Sequence, residues 1–138
     1  MSEVKYLVVP LLTIIISQTI KFIIEGLKNH KFDILRLLDG SGGLPSSHSA
    51  LVASLSTLIG LNYGFESPLF AICVVFSLVV LYDAMGIRYE AGKQAMIINN
   101  MVKDKKYLLK EKLGHKPFEV LWGVILGIGM ALIFEIII

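Results

Sequence analysis

The chain has 138 residues, 55% of them hydrophobic and 17% charged, with mean hydropathy +0.74 and a net charge of +2. Soluble domains carry about 45–50% apolar and about 25% charged residues, so this balance excludes an ordinary soluble protein and points to a membrane one. The small net charge, with no basic stretch interleaved with aromatics, argues against nucleic acid as a partner, and the length suits a single membrane-embedded domain over residues 1–138.

The N-terminal run "MSEVKYLVVPLLTIIISQTIKF" has a head of mixed charge and no small-residue cleavage site, and it continues into Lys21. It therefore reads as a retained span from Tyr6 to about Leu27 rather than a secretory signal. Lys21 is expected to snorkel to the headgroups, although it and Gln18 also lie within reach of a site at that face. After a polar connection holding Lys28, Lys31 and Arg36, "GGLPSSHSA" introduces a second apolar segment, Ser49–Phe65. Its glycines permit a tight turn, Pro45 suits a helix start, and Ser46 or Ser47 can cap the first exposed amides. The turn "NYGFES" leads to a third segment, Ser67–Tyr82, whose lone Cys73 reads as a packing residue. Residues 86–116 are polar, charged and rich in helix formers, which predicts a loop or surface helix. Pro117–Ile138 forms the fourth segment. Each apolar stretch is near the roughly 20 residues that cross a bilayer core of about 30 Å, the middle two being short. The predicted fold class is all-α: an integral membrane bundle of about four transmembrane helices plus the polar element.

Four spans put the connections 28–48 and 86–116 on one side. That side holds 11 of the 13 basic residues, all except Lys5 and Lys21. The positive-inside tendency makes it cytoplasmic, while the alternative is that part of this charge serves anionic headgroups or a phosphate ligand. The same face gathers His48, Asp83, Arg88, His115 and Glu119.

A helix start such as "PSSHS" attracts anions through its free amides and dipole, and His48 in its first turn can donate a proton to a phosphoryl oxygen. The plainer reading is an N-cap with an incidental histidine. In "LGHKPFEVLWG", Gly114 breaks the preceding element, Pro117 fits a first helical turn, and His115 precedes Glu119 by four residues on one helix face. If Glu119 holds one ring nitrogen, the other keeps its lone pair and can act as a nucleophile. A glutamate in a first turn is also favoured by the dipole alone. Arg88 can clamp phosphate oxygens with its planar fork, and Asp83 can orient or neutralise it. No cofactor is expected: the carboxylates are scattered, the three histidines lack metal-ligand spacing, and no nucleotide loop is present. "GVILG", Gly123–Gly127, has the spacing of close helix packing, within the bundle or across a homodimer.

The pairing of "PSSHS" with "GHKPFE" resembles the type 2 phosphatidic acid phosphatase and vanadium haloperoxidase superfamily. "GGLPSSHSALV", "YDAMGIRYEAGKQA" and "LGHKPFEVLWG" are similar to its small, divergent bacterial and plastid branch, over most of residues 42–127. The resemblance implies catalysis through a phosphohistidine without metal, with His48 as acid, His115 as nucleophile and Glu119 in the aspartate's place. It implies an acid-phosphatase-like enzyme acting on a membrane lipid or isoprenoid phosphate in a bacterial cell membrane. Ser47 stands where the superfamily has glycine, Leu109 where it has arginine, and the K-x6-R-P motif is absent. Phosphate binding then falls to Arg88, Lys93 or Arg36, with Ser46, Ser47, Lys21 and Asp83 around them. The alternative is a non-catalytic protein that keeps the fold for lipid-phosphate binding, transport or assembly.

Overall fold

The computed structural model describes residues 3–38 and 42–137. These form α1 (Lys5–Asn29), α2 (Ser47–Tyr63), α3 (Pro68–Met85), α4 (Ile87–Met101) and α5 (Pro117–Ile137), with short 3-10 turns at Ile34–Leu37 and Lys105–Tyr107. No strand occurs among the described residues, and the protein is an all-α membrane bundle. α1, α5 and the stretch from α3 through α4 are long and apolar enough to cross a membrane. Leu7, Ile15, Ile72, Val75 and Ile133 are exposed around the outside, as lipid-facing side chains must be in a chain this apolar. α2 has 17 residues and is the central element, packed on α1, α3 and α5.

Several boundaries differ from the sequence reading, among them the end of α2 at Tyr63 instead of Phe65. α2 begins at Ser47, two residues before the expected segment, because the Ser46 side chain caps it by accepting from the Ser49 amide at 3.4 Å. α3 continues past Tyr82 to Met85 before Gly86 turns the chain into α4, the surface helix expected in the polar stretch. Residue 138, the end of the expected fourth segment, lies outside the described residues.

α5 meets α2 backbone to backbone. A Cβ added at Gly123 would sit 2.4 Å from the Ser46 carbonyl oxygen, and one at Gly127 would sit 2.3 Å from that of Ala50. The close approach foreseen for "GVILG" is therefore made within the bundle, against Ser46, Ser49, Ala50 and Ala53. Packing of this kind drives helix association where lipid removes the hydrophobic effect between helices.

The two ends of the bundle are separately tied. At one, Lys5 donates to Asn62 Oδ1 at 2.6 Å and to Glu135 at 3.2 Å, and the Tyr63 hydroxyl donates to Glu3 at 2.7 Å. At the other, the segment after α4 folds back along that helix. Asn99 accepts from the Leu109 amide and donates to the Leu109 carbonyl, both at 2.7 Å. Gly114, at φ +71°, lies where a Cβ would be 2.3 Å from the Tyr89 nitrogen.

Gly127→Val should destabilise the bundle by roughly 1–3 kcal/mol, the usual cost of overpacking. Thermal unfolding in detergent checks this: the midpoint is expected to fall by several degrees, whereas Gly129→Val, at an open position, should leave it nearly unchanged.

Candidate functional site

The site begins where two helix starts meet. The Ser46 amide donates to the Glu119 carbonyl at 3.1 Å, joining the first turns of α2 and α5. The His115 amide donates to the Ala84 carbonyl at 2.9 Å, fixing His115 to the last turn of α3. Backbone hydrogen bonds thus bring together three segments distant in sequence.

His115 is 3% exposed, and its Nδ1 lies 3.1 Å from Glu119 Oε2. The same carboxylate oxygen accepts from the Lys116 amide at 3.1 Å, which holds Glu119 in place. With Nδ1–H donating to the carboxylate, Nε2 carries the lone pair, and it has no protein partner among the described residues. Burial pushes the His115 pKa below its ordinary value of 6.5. The Lys21 charge and the His48 ring push the same way, while Glu119 opposes them. The imidazole is therefore held neutral near pH 7.

His48 is half-buried in the first turn of α2 and makes no side-chain hydrogen bond among the described residues. It lies within electrostatic reach of Arg88, Lys21 and Asp83. Arg88 is bound to Asp83 at 2.7 Å, and both side chains are partly exposed.

Lys21 corrects the snorkelling expectation. It is 1% exposed and points inward, with Nζ 3.5 Å from the Ser47 hydroxyl. The Ser17 hydroxyl donates to Ser47 Oγ at 3.1 Å. Ser47 therefore helps to seat the buried lysine, while Ser46 serves as the helix cap. Gln18 Oε1, one turn before Lys21, is buried without a partner.

The other candidate basic residues are held by carboxylates. Arg36 grips Glu25 with two nitrogens, at 2.5 and 2.7 Å, and donates to the Gly42 carbonyl at 3.0 Å; Lys112 joins Glu25 at 3.0 Å. This network latches the two loops of the site end to α1. Lys93 is exposed, bound to Glu90 at 2.8 Å and placed over the Tyr89 ring. Among the described residues no three of His, Cys, Asp and Glu gather as a metal-binding group.

The sequence reading missed Thr13, Ser17 and Glu25. The signal was available: Thr13, Ser17, Lys21 and Glu25 recur every four residues, one face of a helix, and this face meets α2 and the loops.

An NMR titration should place the His115 midpoint below 6.5. Glu119→Gln removes the carboxylate that favours imidazolium and should lower the midpoint further; Lys21→Met removes an opposing cation and should raise it.

Comparison with known proteins gives the family. Residues 2–130 match the divergent PAP2 family, and the chain belongs to it. The chain is similar to the uncharacterized membrane protein YuiD of Bacillus subtilis (strain 168), with 39% identity over 89% of each chain. No solved structure matches.

Proposed function

We propose that this member of the divergent PAP2 family is a membrane phosphatase that hydrolyses a lipid or isoprenoid phosphate through a phosphohistidine, without metal. The observation that carries the reading is the neutral, buried His115 held through Nδ1 by Glu119, with Lys21 and His48 close enough to feel its charge.

In the first step His115 Nε2 attacks phosphorus and the phosphorus–oxygen bond to the lipid alcohol breaks. His48, protonated once the phosphate dianion sits beside it, gives its proton to the departing alkoxide. Glu119 stabilises the positive charge that the His115 ring acquires. In the second step neutral His48 takes a proton from water, the water oxygen attacks phosphorus, and the phosphorus–nitrogen bond breaks to release inorganic phosphate. Both imidazoles return to their starting states. Lys21 and Arg88 would balance the phosphoryl charge, supported by the amides at the start of α2. The apolar helices would hold the tail, and the basic end would face the cytoplasm by the positive-inside tendency.

A specific observation favours the non-catalytic reading as the second choice. Arg36, Arg88 and Lys93 are each bound to a carboxylate, from Glu25, Asp83 and Glu90. Lipid-phosphate binding without turnover across a broad panel of phosphomonoesters would select it.

His115→Ala should reduce phosphate release by purified protein in detergent to background while leaving its gel-filtration profile intact; unchanged turnover removes His115 from the mechanism. His48→Ala should cost about 10²–10⁴-fold, the usual contribution of a positioned proton donor.

The nucleophile must be unprotonated, and its folded pKa is depressed. Activity is therefore expected to persist below pH 6.5 and to fall only as the pH drops through that lower value. A rate profile whose acid limb lies above 6.5 contradicts the assignment.

A further inference from the structure

A groove of about 500 Å³ runs down the lipid-facing side of the bundle between α2, α3 and α5. Its upper part is lined by Val52, Leu81 and Val124. Val52 follows His48 by one helical turn on the same face, and Leu81 lies just before Asp83, the partner of Arg88. The groove thus begins one helical turn from His48, which lies within electrostatic reach of Arg88, Lys21 and Asp83. Its walls are apolar, with Val74 and Leu78 from α3 facing Ile128 and Leu132 from α5. The hydroxyls of Ser56 and Ser77 on its floor lie 2.9 Å apart, and Ser77 also donates to the Cys73 carbonyl at 2.7 Å, so neither seeks a polar ligand.

An aromatic pair stands at the far end. Phe65 and Phe70, which also line the groove, meet edge to face at 5.1 Å across the α2–α3 turn. They sit over Gly60, where an added Cβ would come within 2.5 Å of the Phe65 ring. From Val52 to Leu61 the α2 axis rises about 14 Å at 1.5 Å per residue. That is close to half of a bilayer core of about 30 Å.

Resting on the phosphatase reading for its headgroup site, we infer that this groove is a tail-binding site of limited length. It takes the single hydrocarbon chain of a monophosphate ester and measures that chain against the Phe65–Phe70 pair. Continuity with the charged end selects a phosphate-bearing amphiphile over bulk lipid, because only such a molecule satisfies both ends at once. A single lane suits one chain, acyl or polyprenyl.

The test uses the full chain in nanodiscs and reads binding of two probe series of increasing length: linear alkyl monophosphates and polyprenyl monophosphates. Affinity should rise with chain length and then break where the tail reaches the aromatic pair. Val74→Trp, which narrows the groove partway down, should move the break to shorter chains and leave the shortest probes unaffected; Phe70→Ala should move it to longer ones. Whichever series shows the break identifies the tail chemistry. A break at the same length in all three proteins overturns the inference, as does an equal loss for short and long chains in Val74→Trp. A changed oligomeric state in Val74→Trp with an unmoved break gives the groove to a second copy and also overturns it. Should Val74→Trp fail to fold, Phe70→Ala decides alone. If wild-type protein binds no probe of either series, the headgroup reading itself falls and this inference with it; binding without a length break removes the groove alone.

Discussion

The arrangement depends on α5 lying against α2 with no side chain between them. At Gly123 and Gly127 the two backbones approach so closely that a methyl group on either residue would collide with a carbonyl oxygen of α2. One of those oxygens belongs to Ser46, whose amide binds the Glu119 carbonyl. The two helices therefore start at the same level and run in the same direction. Their first turns bring His48 and Glu119 to one end of the bundle, and the Ala84 carbonyl of α3 draws His115 in beside them. Two positive helix ends converge there, which favours an anion more than either would alone.

Lys21 supplies the second constraint. A cation buried within an apolar span is costly, and the chain meets that cost with a file of small polar side chains on α1, ending at Ser17 and at Ser47 of α2. The return is electrostatic. A fixed positive charge close to His115 opposes a second one on the ring, and burial acts in the same sense. Glu119 acts oppositely, so the ring has a partner that fixes its tautomer without making it cationic. Those are the conditions for a histidine that gives its lone pair to phosphorus instead of to a proton.

Much of this was legible in the sequence because it rests on local pattern. Apolar runs marked the helices, the spacing of His115 and Glu119 marked their contact although His115 lies before α5 and not on its face, and Gly123 with Gly127 marked a close contact. The orientation of Lys21 was not read because one lysine near the end of a span has two ordinary destinations. Only the file of Thr13, Ser17 and Glu25 on the same face separates them. The Asn99 clasp on Leu109 was hidden for a different reason, since it joins a helix to an irregular segment with no periodicity to reveal the register.

The superfamily's arginine is missing six residues before His115, so on the phosphatase reading the basic residues that are present would divide its task according to their surroundings. Arg36 binds Glu25 through two nitrogens in a pair that is only 13% and 17% exposed, and it also holds the Gly42 carbonyl. Removing it from Glu25 would leave only the exposed Lys112 to satisfy a carboxylate in a poorly solvated place, which makes this pair architectural. Arg88 and Asp83 are 46% and 31% exposed, and ion pairs of that kind contribute little stability, about 0–1 kcal/mol. Arg88 can therefore leave Asp83 for a phosphate dianion at small cost, and it already lies within electrostatic reach of His48. Lys21 has no such freedom and no need of it, because a buried charge acts from where it stands. On the phosphatase reading, the clamp that the motif lacks would be supplied by one fixed cation beneath the site and one exchangeable cation at its rim.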